Sequence, residues 1–371
     1  MNGKMKKKIL VLCPAPVNVC PSQRLKYEQY FGYLKDNGYE CIVSSFYSLR
    51  AWKIIHKRSH TAEKVFWVIF GYLRRTFDLT RMPFYHGLYV HLWVTPLGIP
   101  FFELMTKALN KKIVYDIDDM IFLKENNSLN KIWAALKGRK KPFALMRMAG
   151  HVIVCTPKLE EAARRFSSRV TDISSTINMQ AYKPVKDYKK NETIALGWTG
   201  SFSGIAYLYT LANVLREVAS KRKIKLLVIF NITDRKFELS GVDVENIPWQ
   251  QDTEVEDLQK IEIGLYPLIK NEWSLGKSGL KALQYMALGI PVVATSFGAN
   301  LRVIENGVSG FLVDSQKEWV DTIIKLIDDC DLRRRIGLAS RQRVEKYFSL
   351  EVNRCKYLAI FEEVYNKKGR G

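Results

Sequence analysis

The chain has 371 residues, 47% of them hydrophobic, which is long enough for two domains because single hydrophobic cores rarely keep growing past about 250 to 300 residues. Its formal charge of +21 is unevenly shared: residues 1–185 hold 30 Lys and Arg against 13 Asp and Glu, and residues 186–371 hold 28 against 24. The six cysteines, at 13, 20, 41, 155, 330 and 355, form no CxxC pair and have no histidine cluster beside them, so neither a disulfide framework nor a zinc site is indicated and the chain reads as reduced and cytoplasmic.

In chain order, "MNGKMKKKILVLCPAPV" is basic and then apolar, but five or six apolar residues before a proline are too few for the core of a signal peptide. Ile9 to Cys13 are therefore a first buried strand. "PSQRLKYEQYFGYL" follows, with Ser22 as an expected N-cap and Arg24 in the first turn, where a bidentate donor suits phosphate as well as it suits solvent. Further strands are expected at 40–46, 87–94, 112–117 and 151–156, with helices at 23–36, 50–75, 99–109, 140–149 and 157–166. Continuous apolar runs between helices indicate a parallel sheet covered on both faces.

The basic first half has the character of something that meets anions: nucleic acid, an anionic membrane or a phosphorylated substrate. No helix-turn-helix, RRM, KH or zinc-finger signature is present, so nucleic acid is not expected as a partner. Residues 53–75 interleave Lys, Arg and His with Phe66, Trp67, Phe70 and Tyr72. That composition fits a segment lying on an anionic membrane surface, and equally a core helix with a solvated basic face. Met82 to Phe102 contain no charged Asp, Glu, Lys or Arg, but Pro83, Pro96 and Pro100 divide the stretch into a strand and a helix, so it does not read as a membrane span.

"YDIDD" places Asp116, Asp118 and Asp119 at the carboxyl end of a strand. Three carboxylates in four residues invite a metal, although no further acidic ligand lies near in sequence; helix capping or a structural hydrogen bond is the plainer alternative. Residues 178–193 are poor in apolar groups, carry a proline and several lysines, and read as a linker. Beyond it the alternation restarts, with strands at 193–198, 225–230, 261–268 and 291–295 and helices at 204–219, 253–260, 278–288, 316–328, 331–346 and 349–366. Two doubly wound lobes in series are the result, with ligands expected at the carboxyl ends of strands and in a central cleft that the lobes face.

Two stretches of the second half carry candidate chemistry. "GWTGSFSG" follows its first strand, so Gly200 and Ser201 can offer amides and a hydroxyl to phosphates or can simply turn the chain. In "GKSGLKALQYMALGIPVVAT" (276–295), a helix starting at Ser278 leaves the amides of Ser278, Gly279 and Leu280 free beside Lys277, an arrangement that binds diphosphate or merely begins a helix. At about 100° per residue, Leu280, Leu283 and Ala287 form the packed stripe, while Lys277, Lys281 and Gln284 form one left at the rim. Gly289 and Pro291 stop the helix.

The run 272–313, "EWSLGKSGLKALQYMALGIPVVATSFGANLRVIENGVSGFLV", resembles the donor-binding half of the family-4 glycosyltransferases of the GT-B fold (glycosyl transferases group 1), and "YDIDDMIF" and "GWTGSFSGIAYL" resemble a subgroup of it. The resemblance implies an α/β GT-B architecture: an acceptor-binding lobe at 1–182, a nucleotide-sugar-binding lobe at 183–348 and a C-terminal helix, 349–371, returning to the first lobe. It implies a retaining enzyme that moves a sugar from a nucleotide diphosphate to an acceptor hydroxyl, in surface polysaccharide or glycolipid synthesis. No cofactor and no obligatory metal are implied.

Carried over residue by residue, the pattern makes Asp118 and Lys277 the catalytic candidates. Gly200, Ser201, Glu272, Ser278, Gly279, Leu280, Lys281 and Gln284 fall on the donor side, and Ser22, Arg24, Asp116 and Asp119 on the acceptor or phosphate side. Both of the family's glutamates are absent: the first falls on Gly276, and the second, which holds the nucleotide ribose, falls on Gln284. That departure keeps two alternatives open, a non-catalytic GT-B protein that binds a nucleotide or glycan and a GT-B-like sugar-nucleotide epimerase. A lipid-linked acceptor and a peripheral place on the inner face of the plasma membrane complete the expectation.

Overall fold

The computed structural model describes residues 6–55, 57, 59–123, 138–184, 192–231 and 236–366. The chain divides into two compact units, one built from the chain up to Ser174 together with the segment from Asn353 onward, the other from Ser175 to Val352. Residues 185–191 of the expected linker lie outside the described residues.

The first unit is built on six parallel strands, β1 (Lys7–Cys13), β2 (Tyr39–Ser45), β3 (Gly87–His91), β4 (Ile113–Asp116), β5 (His151–Val154) and β6 (Val170–Asp172), in the order β2-β1-β3-β4-β5-β6. Ile9 to Cys13 are fully buried, as a strand covered on both faces must be. The longer helices over it are α1 (Thr61–Arg81), α2 (Phe101–Leu109), α3 (Lys141–Met148) and α4 (Pro157–Arg164). The second unit repeats the plan with β7 (Ile194–Gly200), β8 (Ile224–Phe230), β9 (Asp243–Pro248), β10 (Ile263–Tyr266), β11 (Val292–Thr295) and β12 (Phe311–Val313), again all parallel, in the order β12-β11-β10-β7-β8-β9. Its helices are α5 (Ala212–Lys221), α6 (Leu280–Ala287), α7 (Gln316–Asp328) and α8 (Cys330–Arg343). The last helix, α9 (Leu350–Tyr365), starts in the second unit and from Asn353 belongs to the first.

Both sheets reverse their strand order once, the first between β1 and β3 and the second between β7 and β10. At such a switch point the connections leave in opposite directions, which opens a crevice outside the carboxyl ends of the two strands. In the second unit, the loop after β7 begins at Ser201 and the loop after β10 runs to Gly279. Topology alone therefore sends both of its motif-bearing loops to one place.

Several expectations are corrected. The helix expected over 50–75 is two: Leu49–Ile55 and, after His60 in the left-handed region at φ +69°, α1, which continues to Arg81. The helix expected over 204–219 is a short turn, Ile205–Tyr209, followed by α5. Strand β3 ends at His91 because Leu92 turns out of the ladder at φ +62°. Ser22 is not an N-cap: the helix Pro21–Arg24 is preceded by Cys20 in extended geometry, with Pro21 in the first turn, where its missing N–H costs nothing.

Candidate functional site

In the second unit, β7 delivers Trp198 into the core and ends at Gly200. A side chain at 200 would have its Cβ 2.5 Å from the Trp198 ring and 2.6 Å from Lys281 Nζ, so only glycine leaves the lysine its place. The Lys281 ammonium lies over the Trp198 ring, 4.4 Å from its centroid, and 5.8 Å from that of Tyr266 at the end of β10. Burial first, and then the charge of Lys277, push its pKa down to about 7. Held over aromatic faces with no carboxylate partner among the described residues, the lysine is poised to gain from an anion.

Helix α6 begins two residues later than expected. Gly279 is its N-cap at φ +80°, with its carbonyl accepting from Leu283 N at 3.1 Å, so the first-turn amides belong to Leu280, Lys281 and Ala282. Glycine at 279 answers the left-handed backbone, and a Cβ there would stand 3.0 Å from Val303 and not toward a ligand. Ser278 Oγ is 2.7 Å from Ser175 Oγ, and half-buried Lys277 holds its ammonium 5.3 Å from the Trp273 ring centroid. Glu272 is exposed and precedes the 3₁₀ turn Trp273–Gly276. Ser201 is exposed too, and the next amide, Phe202 N, donates to Asn231 Oδ1 at 2.8 Å.

Gln284 does not line the rim with the two lysines. It is buried, and its Nε2 donates to the Tyr182 hydroxyl at 2.8 Å and to Glu254 Oε1 at 3.1 Å. The same Glu254 oxygen accepts from Trp249 Nε1 at 3.1 Å. A carboxylate is thus already seated where the amide of Gln284 points. A second one at 284 would face it at hydrogen-bond distance with like charge, whereas an amide donates to it.

In the first unit, Asp116 ends β4 fully buried, ion-paired with Lys26 and accepting from the Tyr89 hydroxyl. Burial by itself lowers the pKa of Lys26, but Asp116, Cys155 and Asp118 together outweigh it and raise the pKa. Asp116 is therefore a structural counter-ion and not a group offered to an acceptor. Asp118 is more open, with Oδ1 3.7 Å from Nε2 of the fully buried His91, whose pKa burial lowers to about 3, so the imidazole is neutral. Asp119 turns back to accept from Met120 N at 3.0 Å. Ser22 Oγ is 3.2 Å from Cys20 Sγ, and Arg24 is half-buried at the end of its short helix. Among the described residues no group of three or more His, Cys, Asp or Glu side chains is placed to hold a metal ion.

The polar residues that shape this end of the first sheet had no linear signal. Gln23 exchanges two hydrogen bonds with the Ala15 backbone, both 2.9 Å, and donates to Glu28, while Glu28 accepts from Asn18 N at 2.8 Å. Together they pin the loop after β1. A Gln and a Glu five apart on helical segments look like surface residues until the fold buries them.

Residues 194–329 match the family model Glycosyl transferases group 1. Among curated proteins, the chain is 25% identical over 173 residues to the capsular polysaccharide biosynthesis glycosyltransferase CapM of Staphylococcus aureus, an alignment covering 44% of each chain. The chain spans 11% to 44% of the length of the curated relatives it matches. Among solved structures it is similar to sucrose-phosphate synthase from Thermosynechococcus elongatus, with a TM-score of 0.71, 14% identity, and 97% of this chain and 100% of that one covered. It is also similar to HepE of Anabaena in complex with UDP-glucose, with a TM-score of 0.64, 13% identity, and 95% and 99% covered. At these identities the structural likeness is one of fold.

Proposed function

We propose, for a chain that has the GT-B fold and carries a glycosyl transferases group 1 domain in its second unit, that it is a glycosyltransferase moving a sugar from a nucleotide diphosphate to an acceptor hydroxyl. The observation that carries the reading is Lys281, with no carboxylate partner among the described residues, held beside Lys277 and the first-turn amides of α6 at the switch point of that domain. The reaction demands stabilisation of the negative charge that grows on the leaving diphosphate. Fixed cations and amides aimed at that charge supply it without reorganising. In this reading the second unit holds the donor and the first unit the acceptor, with Asp118 beside neutral His91 as its polar group.

Transfer proceeds with retention. The departing phosphate takes the acceptor proton on the same face, so no side-chain base is required. The basic first half suits a phosphate-bearing, lipid-linked acceptor met at a membrane surface, as in polysaccharide or glycolipid synthesis. UDP-glucose, which the HepE structure holds, makes a uridine nucleotide the first to try.

The test is turnover of labelled nucleotide sugars by the purified protein, with and without lipid-linked acceptor. Transfer that falls by about 100-fold or more in Lys281→Ala, the scale for one lost charge-stabilising donor, supports the reading. Unchanged transfer in that variant sinks the diphosphate site. One observation favours a second reading, a non-catalytic binder: Gln284 stands buried where the resembling family has its ribose-binding glutamate. Tight nucleotide binding with no turnover of any donor would establish it.

A further inference from the structure

Helix α1 is turned inside out. Inward it presents Gly71, Arg75 and Asp78, the last two fully buried and ion-paired at 2.8 Å, with Arg75 also donating to the Val94 and Cys13 carbonyls. Outward it presents Phe66, Ile69, Phe70, Leu73 and Phe77, of which all but Phe70 are more than half exposed. At about 100° per residue these five fall within roughly 100° of arc, opposite Arg75. An ordinary surface helix has the reverse pattern.

The apolar face does not end with α1. Tyr72 packs on Phe102 of α2, 5.6 Å between ring centroids, and its hydroxyl bonds the Leu97 backbone. In and just before α2, Ile99, Phe101 and Leu104 are exposed, and Phe84, just past α1, is the most exposed large hydrophobic residue of the described chain. Cations frame the face. Arg74 and Arg81 lie over the Phe70 and Phe77 rings, at 5.5 and 5.4 Å. Residues 49–112 hold eleven Lys and Arg against three Asp and Glu; Arg75 and Asp78 form a buried pair, Glu103 is buried and Glu63 is bonded to Arg50, so the remaining cations have no exposed acid of this segment left over to offset them.

We propose that this two-helix face, Phe66, Ile69, Leu73 and Phe77 of α1 with Phe84, Ile99, Phe101 and Leu104, seats the protein on an anionic lipid surface. The proposal rests on the membrane part of the function above and assigns it to a surface. Aromatic and aliphatic side chains flanked by Arg and Lys, with the accessible acid neutralised, match the boundary between acyl chains and acidic headgroups. A protein partner would need no such excess of cation. None of the described helices is long and apolar enough to cross a membrane, so attachment through this face is by lying on the surface.

The test is co-sedimentation of the full chain with vesicles of phosphatidylcholine alone or mixed with phosphatidylglycerol, for the parent and for Phe66→Ser, Leu73→Ser, Phe77→Ser combined. The expected result is binding that requires phosphatidylglycerol, weakens with salt, and falls about tenfold or more in the triple variant while its melting temperature holds. No binding by the parent, equal binding to both vesicles, or equal binding by the triple variant overturns the proposal. So does sedimentation of the parent as a dimer that the triple variant splits, which would make a second copy the occupant. Turnover of labelled nucleotide sugar needs no vesicle, so its failure and the failure of vesicle binding are separate results.

Discussion

Lys281 and Gln284 lie three residues apart on one helix, yet their surroundings give them opposite tasks. Lys281 is a base in waiting: with its pKa near 7, it must be protonated to meet a diphosphate. A bound dianion raises that pKa, so binding takes up a proton. Below pH 7 the lysine is already charged and affinity is full; above it, affinity falls by up to about tenfold per pH unit until the pKa of the complex is reached. Calorimetry of UDP and other nucleoside diphosphates between pH 6 and 9 would read this slope, and Lys281→Ala should abolish it. A flat profile in the parent would remove Lys281 from the site.

For Gln284, the amide pairs with Glu254 and Tyr182, and the expectation that it lines the rim with the lysines fails because its partners come from elsewhere in the chain. Restoring the family's glutamate by Gln284→Glu should destabilise the second unit by about 2 kcal/mol, the scale for a buried polar group set against the wrong partner. Burial and Glu254 would raise the folded pKa of the new carboxyl above its unfolded value of about 4.3. The deficit is therefore absent below pH 4, where both states are protonated, and grows as pH rises through the interval between the two values. Denaturant melts at pH 4 and pH 7 check it. Equal deficits at both would mean the loss is steric.

At the scale of elements, what the sequence made legible were the central strands and the long helices. β1, β8 and β11 appear within one or two residues of where continuous apolar runs place them, and α7 spans the expected 316–328, capped by Ser315 and Glu318. The strands that escaped, β6, β9 and β12, are three of the four sheet edges. Edge strands are short and half-solvated, so Asp243–Pro248 alternates exposed and partly buried residues where a central strand is apolar throughout. The sequence misplaces the ends of helix α1 and leaves two directions open for its apolar face, because periodicity groups Phe66, Phe70 and Phe77 on one side without saying whether that side is the inner one. The end of α9 is an element whose value only packing shows. Tyr357 stacks on Tyr30 at 4.4 Å, Phe361 meets Tyr39 at 5.5 Å, and the Tyr365 hydroxyl donates to Leu88 O of β3 at 2.9 Å. Deleting residues 353–371 should lower the stability of the first unit by several kcal/mol, since each buried aromatic is worth about 3 kcal/mol, and leave the melting of the second unit in place. Calorimetric scans of the truncated chain would show one transition lost or lowered. Two transitions at the parent's temperatures would mean that α9 is dispensable.

For the whole molecule, the sequence by itself determined the fold class, two parallel sheets in series, because apolar runs of strand length alternating with helices have few other ways to be buried. It also determined the uneven charge and the presence of glycine and lysine beside a helix start, since these are properties of order along the chain. Only the tertiary structure decided which of those residues share a site. Strand order brings the loops after β7 and β10 to one switch point, where Gly200, Trp198 and Lys281 meet from segments some eighty residues apart. It also buried Asp116 on Lys26, set Gln284 against Glu254, and turned Phe66, Phe70 and Phe77 of α1 outward, opposite a buried Arg75. Burial and charge pairing are relations between distant parts of the chain, and they take effect only once the backbone has folded those parts together.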